Sequence, residues 1–208
     1  MNSIFRLAMK NSVNHEEEAF IMDLMQENPK LLTEVLLSQE DLLMNQSDPI
    51  FIQCVLKTLG SDLSKVIEFS GNTRTQENIF HLIASELHLL ASELHFELVN
   101  DQSGRKAKVR SKVKILSLVT HYFESCQYLV DNLEDAFVAK LMLTRSSHSK
   151  QSPLILALSS SNLDVANLFW KTCEEAVLNH QSLINLMKVL IHFKKFQVSI
   201  RIKKLCTF

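Results

Sequence analysis

Three histidines recur at intervals of seven residues, at His81, His88 and His95. The last two close the duplicated pentapeptide Ala-Ser-Glu-Leu-His, which occupies 84–88 and 91–95. Imidazole nitrogens are common zinc ligands, but two helical turns separate neighbouring histidines by about 10.5 Å along an axis. Zinc–nitrogen bonds are only about 2.0–2.1 Å long. One ion therefore cannot bridge these histidines, and we predict partly solvated side chains on one unbroken helix, with no metal.

The thiols offer no clearer chemistry. No two cysteines form a Cys-x-x-Cys pair, and His121 lies five residues before Cys126, whereas neighbours on a helix are three or four apart. The cysteines are Cys54, Cys126, Cys173 and Cys206. We interpret them as small buried apolar residues in a reducing compartment. No nucleotide-binding or hydrolase motif occurs, and three glycines leave little for a phosphate loop. We therefore predict that the protein is not an enzyme and binds no cofactor.

A basic stretch is the strongest charge feature of the chain. Six cations fall within ten residues: Arg105, Lys106, Lys108, Arg110, Lys112 and Lys114. From Lys106 to Lys114, charged residues alternate with small or apolar ones, which predicts an extended segment within a basic insertion or loop at 100–114. Three interpretations stay open: a solvated charged edge, a nuclear-import signal or contact for an acidic protein, and a surface for nucleic acid. No aromatic residue that could stack on bases lies within the stretch.

The charge is also distributed unevenly along the chain. Residues 1–100 contain 6 Lys and Arg against 15 Asp and Glu, a net charge of −9, whereas residues 101–208 contain 16 against 8, a net charge of +8. The second half ends in a basic tail at 194–208, where apolar and polar residues alternate over 196–203 as in an extended strand. An elongated fold would then have an acidic end and a basic end. This distribution fits either a solvated helical surface or the docking of an acidic partner on the second half.

Apolar spacing predicts helices in most of the remaining chain. Asn28-Pro29 should end the first of them, and helices should also end at Gly60 and before Gly71. A long apolar stripe that starts at Ile115 predicts a further helix with a break near 131–132, and a final helix is predicted over 178–193. These predictions together define an all-helical protein.

Four segments open on similar residues. At 152–155 the order is Ser-Pro-Leu-Ile, at 48–51 Asp-Pro-Ile-Phe, at 78–81 Asn-Ile-Phe-His and at 3–6 Ser-Ile-Phe-Arg. In each, a residue that can cap a helix precedes Pro or Ile and then a bulky apolar residue. A polar turn that ends at Asn162 follows the first of these segments, and apolar positions from Leu163 onward predict a second helix.

The stretch 152–170 resembles an ankyrin repeat, whose opening signature is Thr-Pro-Leu-His-x-Ala, and His81 lies where the histidine of that signature would fall. The resemblance implies one ankyrin-like helical-repeat solenoid over 1–208 with irregular repeats. The openings are unevenly spaced, and the gap of 75 residues from Ile79 to Leu154 predicts two enlarged units with an unrecognised opening between them.

Members of the ankyrin family bind other proteins through a concave face and loop tips, so the resemblance implies a non-enzymatic adaptor or inhibitor. We expect another protein as the partner, with a nuclear adaptor for nucleic acid as the alternative. The basic residues at 105–114 and Trp170 are the candidate partner-binding residues, although Trp170 also fits the core. We expect a cytoplasmic or nuclear protein without membrane contact, which would self-associate if the chain were truncated.

Overall fold

The computed structural model describes residues 23–39, 42–46, 48–71, 73–99, 105–159 and 163–179. Side chains are described in these ranges except at 95–99, 105–111, 163 and 177–179. Residues 23–27 are helical and precede eight α-helices: α1 (Pro29–Leu36), α2 (Pro49–Leu59), α3 (Leu63–Phe69), α4 (Ile79–Val99), α5 (Arg105–Asn132), α6 (Asp135–Leu143), α7 (Pro153–Ser159) and α8 (Leu163–Asn179). One turn of 3₁₀-helix, Gly60–Asp62, joins α2 to α3. Within these ranges the protein is all-helical, as the predicted fold class requires, and contains no strand.

The predicted openings begin helices α2, α4 and α7. The Asp48 carboxylate accepts the backbone N–H groups of Ile50 and Phe51, at 2.7 and 3.0 Å. Asn78 Oδ1 accepts those of Phe80 and His81, at 3.1 and 3.4 Å. Ser152 Oγ accepts that of Ile155 at 3.4 Å. Each cap satisfies amide groups that have no partner within the first helical turn, which confirms the predicted role of these residues.

The predicted helix ends are also confirmed. The helical residues 23–27 end at Asn28, and Pro29 occupies the first turn of α1, where its missing N–H costs nothing. Helix α2 ends at Gly60, whose φ of +49° lies in the left-handed region that favours glycine. Helix α5 ends at Asn132, and Glu134 precedes α6.

Helix-on-helix packing buries one continuous apolar core. Helix α4 packs against α5 and α7, α8 packs against α6 and α7, and α2 packs against α5. The Phe80 and Phe169 rings, both fully buried, meet edge to face with centroids 5.6 Å apart. This geometry suits the quadrupoles of two aromatic rings and fixes α4 against α8.

The prediction of an extended basic loop at 100–114 is wrong over 105–114, because these residues form the first part of helix α5. The alternation of charge that favours a strand is short, and the same residues carry a helical period, since Val109, Val113 and Leu116 are spaced by four and three. Lys, Arg and Ala are also strong helix formers. Residues 100–104 of the predicted loop lie outside the described residues.

Helix α4 runs unbroken through the duplicated pentapeptide, as its heptad spacing predicted. The prediction of a partly solvated side chain is wrong for His81, which is buried where α4 meets the turn at 144–152, whereas His88 is exposed. Several predictions lie outside the described residues: the opening at 3–8, the turn at 160–162, the final helix beyond residue 179, the basic tail at 194–208 and the side chain of His95.

Candidate protein-binding surface

Two turns, at 73–78 and 144–152, lie side by side and join the start of α4 to the start of α7. The Ser147 backbone N–H donates to the Thr75 carbonyl at 2.7 Å, and its hydroxyl donates to the Arg74 carbonyl at 2.8 Å. The Ser146 hydroxyl donates to the Glu77 carboxylate at 2.9 Å. We call this contact the turn junction, defined by residues 73–81 and 144–152. It links chain segments about seventy residues apart.

His81 and Asn78 are the centre of the turn junction. His81 Nδ1 accepts the Asn78 backbone N–H at 3.2 Å, so its ring proton lies on Nε2, which donates to the Gln151 carbonyl at 3.3 Å. The Asn78 amide also donates to the Leu141 carbonyl at 2.9 Å. Burial lowers the pKa of His81, although the Gln151 carbonyl and the Glu77 carboxylate act in the opposite direction. A neutral imidazole is required here because Nδ1 is an acceptor.

The two turns also repeat each other's backbone. Gln76 and Lys150, each two residues before the cap of its helix, have φ values of 57° and 59°. Left-handed backbone is uncommon in residues other than glycine, and its recurrence at the same place indicates one turn built twice. Sequence reasoning missed this relation because neither turn contains the glycine that normally marks such a position.

The openings at 78–81 and 152–155 are direct neighbours in the turn junction. The 75-residue gap predicted a further opening between them, but the intervening chain forms α4, α5 and α6 without one in the described residues. Two of these helices, α4 and α5, span 21 and 28 residues, which accounts for the wide spacing of the two openings in the sequence.

The predicted partner-binding residues at 105–114 all lie at the start of α5. Lys112 is half-buried and Lys114 is exposed, while the side chains of Arg105, Lys106, Lys108 and Arg110 are outside the described ones. Between the two described lysines, Val113 is 61% exposed, and Leu116 one turn later is 54% exposed. We call Lys112–Leu116 and the preceding basic residues from Arg105 the α5 surface. It combines cations with uncovered apolar side chains.

The rest of α5 belongs to the core. Its described buried side chains begin at Ile115 and include Tyr122, Cys126 and Leu129. The Gln53 amide on α2 donates to the Glu124 carboxylate at 2.7 Å, with His121 Nδ1 3.8 Å from the same oxygen. One helix thus has an anchored C-terminal part and an N-terminal part with an exposed face.

Trp170, the other predicted partner-binding residue, is half-buried on α8 and packs against the core. It lies on a different helix from the basic residues of α5. Its packing follows from the position of α8 between α6 and α7, which only the tertiary structure defines. Trp170 therefore contributes to the packing of the core and is only partly accessible to a partner.

The buried thiols are poor nucleophiles. Burial raises the pKa of Cys173 to about 12 and raises that of Cys126 further. The Cys173 thiol lies 3.9 Å from the Met142 sulfur, inside the contact of α8 with α6. Thiolates carry the reactivity of cysteine, so both residues act as apolar core groups at neutral pH. The predicted burial is thus confirmed for Cys126 and Cys173, whereas it is wrong for Cys54, which is half-buried, and Cys206 lies outside the described residues.

A shallow cleft of about 530 Å³ lies where the helical residues before α1 meet α2. Ile50, Cys54 and Lys57 line it together with Gln26, whose amide is 3.6 Å from the Cys54 sulfur. The cleft is open to solvent and lacks a convergent set of acids or bases. Across the described residues, no group of three His, Cys, Asp or Glu side chains is placed to hold a metal ion.

None of the helices searched, those of the described residues, has both the length and the apolar character needed to cross a membrane. Comparison with protein-family models, with curated proteins and with solved structures found no match for this chain.

Proposed function

We propose that this protein is a non-enzymatic protein-interaction module, built as an irregular ankyrin-like stack of helix pairs, which binds a protein partner inside the cell. The stack is supported by the turn junction. In a repeat protein each unit contacts its neighbour, and neighbouring units repeat the same contacts. The openings of α4 and α7 share their caps and their left-handed turn residues, and they bond to each other through His81 and Gln151.

The α5 surface carries the proposal for function. A stable module has no need to leave adjacent large apolar side chains in water, and such side chains beside charges are typical of protein interfaces. Val113 and Leu116 meet this description on a helix that is otherwise well anchored. The inert character of Cys126 and Cys173 argues against a thiol enzyme.

The alternative, an adaptor for nucleic acid, uses the same six cations. Phosphate contacts by those cations would give a steep loss of affinity with salt, because each contact releases condensed counterions. Base stacking would require aromatic side chains, and none lies between Arg105 and Thr120. Val113 and Leu116 would have no role in the binding of nucleic acid.

The test is affinity capture from nuclease-treated extract of the native cell, with the wild-type chain and a variant that replaces Lys106, Lys108, Arg110 and Lys112 by glutamate. We expect a protein that is retained by the wild-type chain after nuclease treatment and released by excess soluble chain. Retention of nucleic acid from a parallel extract without nuclease, lost steeply with salt and abolished in the variant, with no protein retained after nuclease treatment, would establish the alternative instead. Turnover of a small substrate by pure protein would contradict both.

A further inference from the structure

The apolar part of the α5 surface is a stripe. Val113 and Leu116 are three residues apart, so their side chains lie on one face with Cβ atoms about 5–6 Å apart. Only four large apolar residues with described side chains are strongly exposed, namely Ile50, Leu89, Val113 and Leu116. Two of these four are therefore immediate neighbours on α5.

The core does not need this stripe. Ile115 is 6% exposed, and at about 100° per residue it lies roughly opposite Val113. Leu118 and Val119, which follow it, also pack against the core. One face of helix α5 thus packs against α2 and α4. On another face, Val113 and Leu116 form an apolar stripe that no described element covers.

Cations border the stripe on both sides. In the helical register, Lys112 falls on one side of the line through Val113 and Leu116, and Lys114 falls on the other side. Four further cations precede them in the sequence of the same helix, namely Arg105, Lys106, Lys108 and Arg110. The resulting pattern is a narrow apolar strip between two lysines on a strongly basic helix segment.

These cations are unfavourable to one another in the isolated chain. Like charges four residues apart on a helix repel, and cations at a helix N-terminus oppose the helix dipole. No Asp or Glu occurs between Asp101 and Glu124 that could compensate them along the helix. An anionic ligand would remove this repulsion, whereas a neutral or basic ligand would not.

We infer that the α5 surface binds an acidic amphipathic helix of a protein partner, laid along α5 with its apolar face on Val113 and Leu116 and its carboxylates beside the lysines and arginines. The inference rests on the proposed function and names its partner. The strip is about one helix wide, which suits anchors at i, i+3, i+4 and i+7 of a single helix. Duplex nucleic acid offers the negative charge but no apolar face, and a membrane surface favours a broader apolar face with bulky aromatic residues.

The test uses the full chain and a fluorescent peptide of about five helical turns, with leucines at the i, i+3, i+4 and i+7 positions and glutamates along both flanks. A second peptide of the same composition has its leucines distributed around the helix. Fluorescence anisotropy measures binding of each. We expect the first peptide to bind at least about tenfold more tightly than the second, because only it aligns apolar anchors with the stripe.

Two pairs of variants separate the apolar and charged contributions. Leu116→Ser is matched by Leu89→Ser on α4, since Leu89 is 56% exposed and lies off the stripe. Lys112→Glu with Lys114→Glu is matched by Lys65→Glu with Lys140→Glu, which reverses two exposed lysines on α3 and α6. We expect each α5 variant to weaken binding about tenfold and each control to change it less than about twofold.

Equal binding of the two peptides, or equal losses in Leu116→Ser and Leu89→Ser, would overturn the inference. Binding of duplex DNA, or of phosphatidylserine-containing vesicles, that needs the lysines but is unchanged in Leu116→Ser would overturn it in favour of a purely electrostatic surface. If the peptide fails but a captured protein is still displaced by soluble chain, the inference is wrong while the proposed function stands. If capture fails as well, both are wrong.

Discussion

The turn junction buries polar side chains, whereas the α5 surface exposes apolar ones. In the turn junction, Asn78 and His81 are buried polar residues, 5% and 3% exposed, and their described hydrogen bonds connect the opening of α4 to α6 and to the opening of α7. At the α5 surface, apolar side chains are exposed beside unbalanced charge. A buried polar group is costly unless it forms hydrogen bonds, so the turn junction is stable in one geometry only. The α5 surface instead leaves its apolar and charged side chains available to a ligand.

This difference suggests that stability and binding are separated within the molecule. Substitutions in the turn junction or beneath it should lower the free energy of unfolding, whereas substitutions on the α5 surface should leave it almost unchanged.

Phe80→Ala should have the largest effect. It removes a fully buried ring from its edge-to-face contact with Phe169 and leaves a cavity, which costs about 3–5 kcal/mol. Urea denaturation followed by circular dichroism measures the loss. Leu89→Ala, at an exposed site on the same helix, should cost less than about 0.5 kcal/mol apart from helix propensity. Similar losses in both variants would contradict the described packing of α4.

Asn78→Ala should come next, at about 2–3 kcal/mol. The substitution removes a helix cap and leaves the Leu141 carbonyl without the amide that donates to it. Asp48→Ala removes a cap that bonds only the first turn of α2, so it should cost about 1 kcal/mol. Comparison of the two variants in the same denaturation experiment isolates the contribution of the Asn78–Leu141 hydrogen bond. Equal costs would mean that the Asn78–Leu141 bond adds nothing.

The third prediction concerns pH. Because the pKa of His81 is lowered by burial, the unfolded chain, with a pKa of about 6.5, takes up a proton more readily than the folded protein. The stabilisation is therefore complete above about pH 6.5 and is lost as the pH falls toward the folded-state pKa, at no more than about 1.4 kcal/mol per pH unit. Denaturation curves between pH 7.5 and about pH 5 measure it.

A matched pair of variants assigns this dependence. His81→Gln should remove the decline, because no imidazole remains at this position to take up a proton. His88→Gln, at an exposed position one heptad later, leaves the bonds of His81 intact and should keep the decline. A decline that persists in His81→Gln would show that another group is responsible.

The smallest effect on stability should come from Lys112→Glu with Lys114→Glu. The substitutions replace two cations in a cluster of like charges by anions in the first half of helix α5, and neither change should be costly. The free energy of unfolding should therefore change by less than about 0.5 kcal/mol. Thermal denaturation checks this at low and high salt. A loss of more than about 1 kcal/mol would mean that these lysines belong to the fold, and it would weaken their assignment to binding.

Much of the helical layout follows from local residue patterns. The cap residues Asp48, Asn78 and Ser152, the Pro29 start and the Gly60 end were all predictable, since caps, proline and glycine act within one turn of themselves. The burial of Cys126 and the identity of the basic residues were also predictable. The extended conformation predicted for Lys106–Lys114 was wrong, because this short segment fits both the two-residue period of a strand and the three-to-four-residue period of a helix.

The sequence by itself thus determined the all-helical character of the described residues, several helix ends and the charge of each segment, because these depend on residues a few positions apart. Only the tertiary structure decided that the turns at 73–78 and 144–152 meet, that Trp170 packs on the core, and that Val113 and Leu116 are uncovered while Ile115 is buried. Contacts between residues about seventy positions apart depend on the way in which the long helices pack against one another. No local sequence pattern specifies that packing.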